Sequence, residues 1–150
     1  MATDKEYVQE AIELAREAVA AGNTPFGSLL VVGDTVVARS RNTTVTDDDI
    51  TAHPELKLAR VAARDLDADE RAECTMYTST EPCEMCATAI HYADLDRVVY
   101  SVRKAELARL RGKEPGGVSC EALIARKGGT TTVDGPVLEA DGMAVHRDFY

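Results

Sequence analysis

The chain has no tryptophan, only two phenylalanines and only four cysteines in 150 residues. No disulfide framework is visible among the cysteines, and two of them read as metal ligands, so a reducing cytoplasm is expected. No apolar run approaches the roughly 20 residues that cross a bilayer. The opening Met1-Ala2-Thr3-Asp4-Lys5-Glu6 does not have the layout of a secretion signal. Lysine is scarce as well, five against twelve arginines. Acidic residues outnumber basic ones 26 to 17, for a formal charge of −9 and a pI near 4.8. That balance argues against a polyanion as the main partner, because phosphate binding needs Lys/Arg patches, although one local patch would be enough. The acidic clusters, Asp47-Asp48-Asp49 and those between Asp65 and Glu73, read as solvated surface. With the arginine excess they suit a salty cytoplasm. The chain also lacks internal repeats, low-complexity tracts and linkers.

What is present fits one domain over residues 1–150, with 45% hydrophobic residues and length enough for a core. Thr3 and Glu6 have capping-box spacing. Behind them Val8, Ile12, Ala15 and Val19 follow helical spacing up to Gly22. Residues 28–32 and 35–39 are strand-like and split by Gly33-Asp34, which suits a tight hairpin. Residues 41–52 are polar and read as a loop. A helix is expected over 53–66, with Pro54 in its first turn and Leu58, Ala62 and Leu66 buried. Residues 66–73 read as an exposed connector. A strand over 75–79 leads to a helix from Cys83 to Tyr92, apolar nearly all round and so expected to be buried. A strand over 97–101 and a basic amphipathic piece over 104–113 follow. After Pro115-Gly116-Gly117 come a helix over 118–127, a strand over 130–133 and a last helix in 136–150. Alternating helices and strands define the class as α/β with one central sheet. The long link between the last two strands contains a helix, so strand five should run parallel to strand four.

The chemistry centres on Glu81-Pro82-Cys83-Glu84-Met85-Cys86. If Pro82 opens a helix, Cys83 and Cys86 fall one turn apart on one face. Two thiolates so placed can hold a soft cation, and the helix N-terminus favours their charge. Upstream, His53-Pro54-Glu55 offers an imidazole and a carboxylate two residues on. Each motif alone is weak: a C-x-x-C also serves as a redox pair or half of a structural zinc site. Together they supply three ligands and leave a fourth zinc position open for water, with Glu55 beside it. Cys74 reads as a buried thiol. Cys120 is assigned no role.

H-x-E followed by P-C-x-x-C is the signature of zinc-dependent base deaminases. The chain resembles the cytidine/deoxycytidylate deaminase-like superfamily, most closely its guanine deaminase and small nucleobase deaminase branch. Pro25-Phe26-Gly27, Asn42, Thr51-Ala52-His53-Pro54-Glu55, Tyr77-Thr78-Ser79 and the cysteine motif through Ala89-Ile90 carry the likeness. The resemblance implies a three-layer α/β/α fold around a five-stranded mixed sheet. It implies one zinc ion per subunit on His53, Cys83 and Cys86, with Glu55 as proton shuttle. Asn42, whose amide can donate and accept, would bind the base edge, with the Ala52 backbone in the same pocket. Phe26 and Tyr92 would wall a flat ring; plain core packing is the alternative for each. Glu114 is the candidate partner for a 2-amino group, against a solvated charge. Residues 136–150, including His146, Phe149 and Tyr150, would form a lid or cross to a partner, against a free, frayed terminus. A homodimer acting on a small nucleobase is implied, guanine first. Wobble adenosine deamination of tRNA stays open through the run Arg103, Lys104, Arg109, Arg111, Lys113. So do cytosine or cytidine deamination and a zinc-stabilised binding module without turnover.

Overall fold

The computed structural model describes residues 2–150. Helix α1 (Asp4–Ala20) is capped by the Thr3 hydroxyl, which accepts from the Glu6 N–H at 3.3 Å. Its buried stripe is Tyr7, Val8, Ala11, Ile12, Ala15 and Ala18. Ala18 lies in that stripe and Val19 at its edge, half-buried. β1 (Gly27–Val32) and β2 (Thr35–Arg41) form the hairpin expected at Gly33-Asp34, with Gly33 at φ 59°. After the polar loop comes α2 (Pro54–Asp65), with Pro54 at its start and Leu58, Ala59 and Ala62 buried. The connector over 66–73 is exposed as expected but not irregular. A capping box between Asp67 and Glu70 closes one helical turn there, α3 (Ala68–Arg71).

β3 (Cys74–Thr80) leads into α4 (Glu84–Ala93), and β4 (Arg97–Val102) into α5 (Lys104–Leu110). α6 (Cys120–Arg126), β5 (Thr132–Asp134) and α7 (Glu139–Phe149) complete the chain. The sheet order is β2-β1-β3-β4-β5. β1 is antiparallel to both neighbours, while β3, β4 and β5 run parallel, as the helical crossover requires.

Strand alternation sorts the core into two layers. Leu30, Met76 and Val98 pack against α2, α4 and α6 through Leu58, Ala62, Ala87, Ile90 and Ile124. Leu29, Val31, Tyr77 and Val99 pack against α1 and α7 through Val8, Ile12 and Val145. Gly27 lets α1 approach the sheet closely: a Cβ there would lie 2.5 Å from the Ala15 nitrogen and 2.6 Å from the Ala11 carbonyl. The expectation that α4 is buried all round is corrected. It buries Cys86, Ala87, Ile90 and Ala93, whereas Met85 and Tyr92 are exposed. A single sheet face covers only one side of a helix.

Candidate active site

The starts of α2 and α4 meet on one side of the sheet. His53 is the N-cap residue of α2 and Cys83 that of α4, and neither side chain caps its helix. Pro82 therefore precedes the helix instead of opening it, and Cys86 sits in the first turn. The cap positions, where Ser, Thr, Asp or Asn would stabilise by about 1 kcal/mol, are instead occupied by side chains that could hold a metal. His53 Nδ1, Cys83 Sγ and Cys86 Sγ lie within 4.8 Å of one another. The two sulfurs are 3.7 and 3.5 Å from that nitrogen. A tetrahedral ion with bonds of about 2.3 Å to sulfur and 2.0 Å to nitrogen needs an S···N separation of about 3.5 Å, so the donor set fits such an ion.

The thiols are inequivalent. Cys83 is drawn down to about 4 by hydrogen bonds from Cys86 and then from His53. Cys86 is pushed the other way by its bond to Cys83 and by burial. The His53 imidazole is raised by its bond to Cys83. Glu55, in the first turn of α2, is 4% exposed. Burial lifts its carboxyl to about 7, against the pull of His53. Its Oε1 lies 3.2 Å from Ser28 Oγ, which also reaches Thr78 Oγ1 at 2.8 Å.

A cavity of about 220 Å³ opens beside these groups. His53, Cys83, Glu55, Asn42 and Phe26 line it. Asn42 Oδ1 already accepts from the Thr44 N–H at 3.0 Å and the Thr44 hydroxyl at 2.9 Å. Its amide NH₂ is thus the end left for a ligand, so Asn42 meets one as a donor rather than in both roles. Thr80, Lys104 and Leu107 also line the cavity and were not singled out as pocket residues from the sequence. The first directly precedes the cysteine motif; the other two read only as parts of a basic helix. Glu81 is a latch: its oxygens accept from the backbone N–H groups of Lys104 at 3.1 Å and Cys120 at 2.9 Å, tying α5 and α6 to the site. Lys104 Nζ bridges Glu84 and the Val118 carbonyl at 2.9 and 2.7 Å, leaving its stem on the cavity.

Four expected pocket residues do not line the cavity. Tyr92 is 73% exposed, six residues beyond Cys86 and so on another face of α4. Glu114 is exposed on the loop between α5 and α6. Both backbone groups of Ala52 close the preceding loop, with its N–H to the Asp49 carbonyl and its carbonyl to the Thr43 N–H, each at 3.1 Å. Tyr150 lies behind the wall, stacked on His146 at 6.0 Å, with the Arg111 guanidinium 4.6 Å from its ring centre. α7 packs against α1 and β4 of its own chain.

Three side chains able to hold a soft metal thus stand beside a buried carboxylate at the starts of α2 and α4. A family model described as cytidine and deoxycytidylate deaminase zinc-binding region matches residues 1–102, and the chain belongs to this deaminase family. It is 30% identical to a probable cytosine deaminase of Schizosaccharomyces pombe, over 98% of this chain and 92% of that protein. It is 37% identical to the guanine deaminase of Bacillus subtilis, over 68% of this chain and 66% of that protein. The structure of a guanine deaminase from Nitrosomonas europaea shares the fold, with a TM-score of 0.79 at 23% identity, covering 99% of this chain and 85% of that one.

Proposed function

We propose that the chain is a zinc-dependent hydrolytic deaminase of a free nucleobase or related small aminated heterocycle, guanine to xanthine favoured. The observation that carries this reading is that His53 and Cys83, grouped with Cys86, line one small cavity together with the buried Glu55. At about 220 Å³ the cavity falls below the roughly 300–1,000 Å³ of drug-sized pockets, which suits one flat ring better than a ring carrying a sugar and phosphates.

His53, Cys83 and Cys86 would hold a zinc ion, which when bound would lower the pKa of water from 15.7 to about 7 and so make a nucleophile available at neutral pH. Glu55 takes a proton from the attacking water, whose oxygen bonds to the carbon bearing the exocyclic amine, and passes that proton to a ring nitrogen. It then assists protonation of the exocyclic amine, which leaves as ammonia. Ser28 steadies Glu55 Oε1. Asn42 donates to a carbonyl oxygen or bare ring nitrogen, and Phe26 packs on the ring. Leu107 and the stem of Lys104 keep water from the mouth.

Cytosine is the second reading, supported by the yeast relative that matches nearly end to end. tRNA-specific adenosine deaminases are also relatives, but four of the five residues of the basic run are engaged within the chain. Arg103 pairs with Glu139 at 2.8 Å, Arg109 with Glu106 and Lys104 with Glu84, while Arg111 stacks on Tyr150.

The test is ammonia release by zinc-loaded protein from guanine, cytosine, adenine, cytidine, guanosine and a tRNA anticodon stem. A free base should be turned over fastest. No release from any of them favours the zinc-stabilised binding module or an untested substrate.

A further inference from the structure

The deaminase reading leaves open which edges of the base the cavity recognises, and a contact behind its wall bears on that question. Thr80 ends β3 and lines the cavity. Its hydroxyl lies 2.8 Å from His146 Nε2 on α7. His146 is 1% exposed, with Phe26 and Tyr150 on either side at ring separations of 5.4 and 6.0 Å. Its Nδ1 is buried with no hydrogen-bond partner among the described residues. Burial lowers the imidazole to about 4, helped by the charge on Arg111, so the ring is neutral at pH 7 and carries one proton.

Two arrangements satisfy the short contact. If Thr80 donates, the ring proton sits on Nδ1, and a buried N–H is left without an acceptor. Buried donors without partners are rare because their desolvation is not repaid. If Nε2–H donates, only a lone pair is left unfilled. The Thr80 proton is then free to find its partner on the cavity side.

We propose that Thr80 is a base-reading residue, its oxygen held by His146 Nε2–H so that its hydroxyl donates to an acceptor atom of the bound heterocycle. This inference rests on the deaminase reading above. With Asn42 Oδ1 taken by Thr44, the cavity presents donors from two sides, the Asn42 amide and the Thr80 hydroxyl. The fitting substrate is an aminated ring with a carbonyl oxygen or bare ring nitrogen on each of those edges. A ring that turns an N–H toward Thr80 is disfavoured, because it can meet only the one remaining lone pair and leaves the hydroxyl proton without an acceptor.

The experiment uses the zinc-loaded protein and the base that wild type turns over fastest. Thr80→Val removes the hydroxyl and keeps the shape; KM should rise roughly five- to tenfold, with zinc content unchanged. Thr80→Ser should restore most of the loss. His146→Phe should raise KM similarly and add little on top of Thr80→Val, because both remove one contact. His146→Gln, which can still donate to Thr80, should recover part of it. A KM for Thr80→Val within twofold of wild type overturns the proposal, as does a His146→Phe effect that is undiminished in the double variant. Failure of the deaminase reading is visible separately, as no ammonia from wild type. Calorimetric binding of guanine and cytosine to wild type and Thr80→Val then decides the role of Thr80: weaker binding supports it and equal binding overturns it.

Discussion

Helices α1 and α2 each begin with an acidic residue in the first turn, and the two carboxylates have opposite fates. Asp4, on α1, meets the Arg97 guanidinium at 2.7 Å and the Tyr77 hydroxyl at 2.6 Å. The hydrogen bond to Arg97 holds it below the ordinary carboxylate range. Glu55, on α2, has no cation bonded to it among the described residues and is lifted to about 7 by burial. The caps differ in the same sense, with the Thr3 hydroxyl on its own helix and the His53 ring turned toward two sulfurs. One sheet face thus uses its helix start to hold the chain together, and the other leaves its helix start free for chemistry.

Four substitutions sharpen or break this contrast. Cys86→Ser should have the largest effect, abolishing turnover together with bound zinc, read by metal analysis beside ammonia release. Full zinc occupancy would remove Cys86 from the ligand set. Glu55→Gln should keep zinc and lose about 10²–10⁴ in kcat, without lowering the melting temperature. Retained turnover would show that the proton passes elsewhere. Gly27→Ala acts on the α1 side, where the added carbon meets backbone. Denaturant unfolding should show a loss of about 1–3 kcal/mol, with KM nearly unchanged in the protein that folds. Asp4→Asn should have the smallest effect, about 0.5–1 kcal/mol near pH 7, because the pair with Arg97 is partly exposed and screened. Here the folded state depresses the pKa, so the stabilisation is present above the ordinary value of 3.8 and is lost as pH falls through the folded one. Wild type and Asp4→Asn should therefore converge in acid. A gap that widens there would contradict the role given to Arg97.

Features encoded over a few adjacent residues were legible. The hairpin at Gly33-Asp34, the helix start at Pro54, the C-x-x-C spacing and the parallel fifth strand all follow from local geometry or chain length. Tyr92 was misplaced because a helix turns 100° per residue, and six residues carry a side chain off the ligand face. Asn42 was identified, but its polarity depends on Thr44 occupying one end of the amide. Thr80 and Lys104 went unread because threonine in a strand and lysine in a basic run carry no signal until a cavity forms beside them. The one-turn helix α3 hides in an acidic connector whose capping pair, Asp67 and Glu70, looks like ordinary surface charge.

The order of residues alone determined which atoms can bind metal, where helices begin and which strands must cross over. These depend on covalent spacing and backbone preference within one or two turns. Only the tertiary structure decided that Glu55 is dry while Asp4 is paired, that Ala52 closes a loop, and that the tail packs behind its own cavity. Burial, partner choice and cavity shape arise between segments distant along the chain, and no local rule contains them.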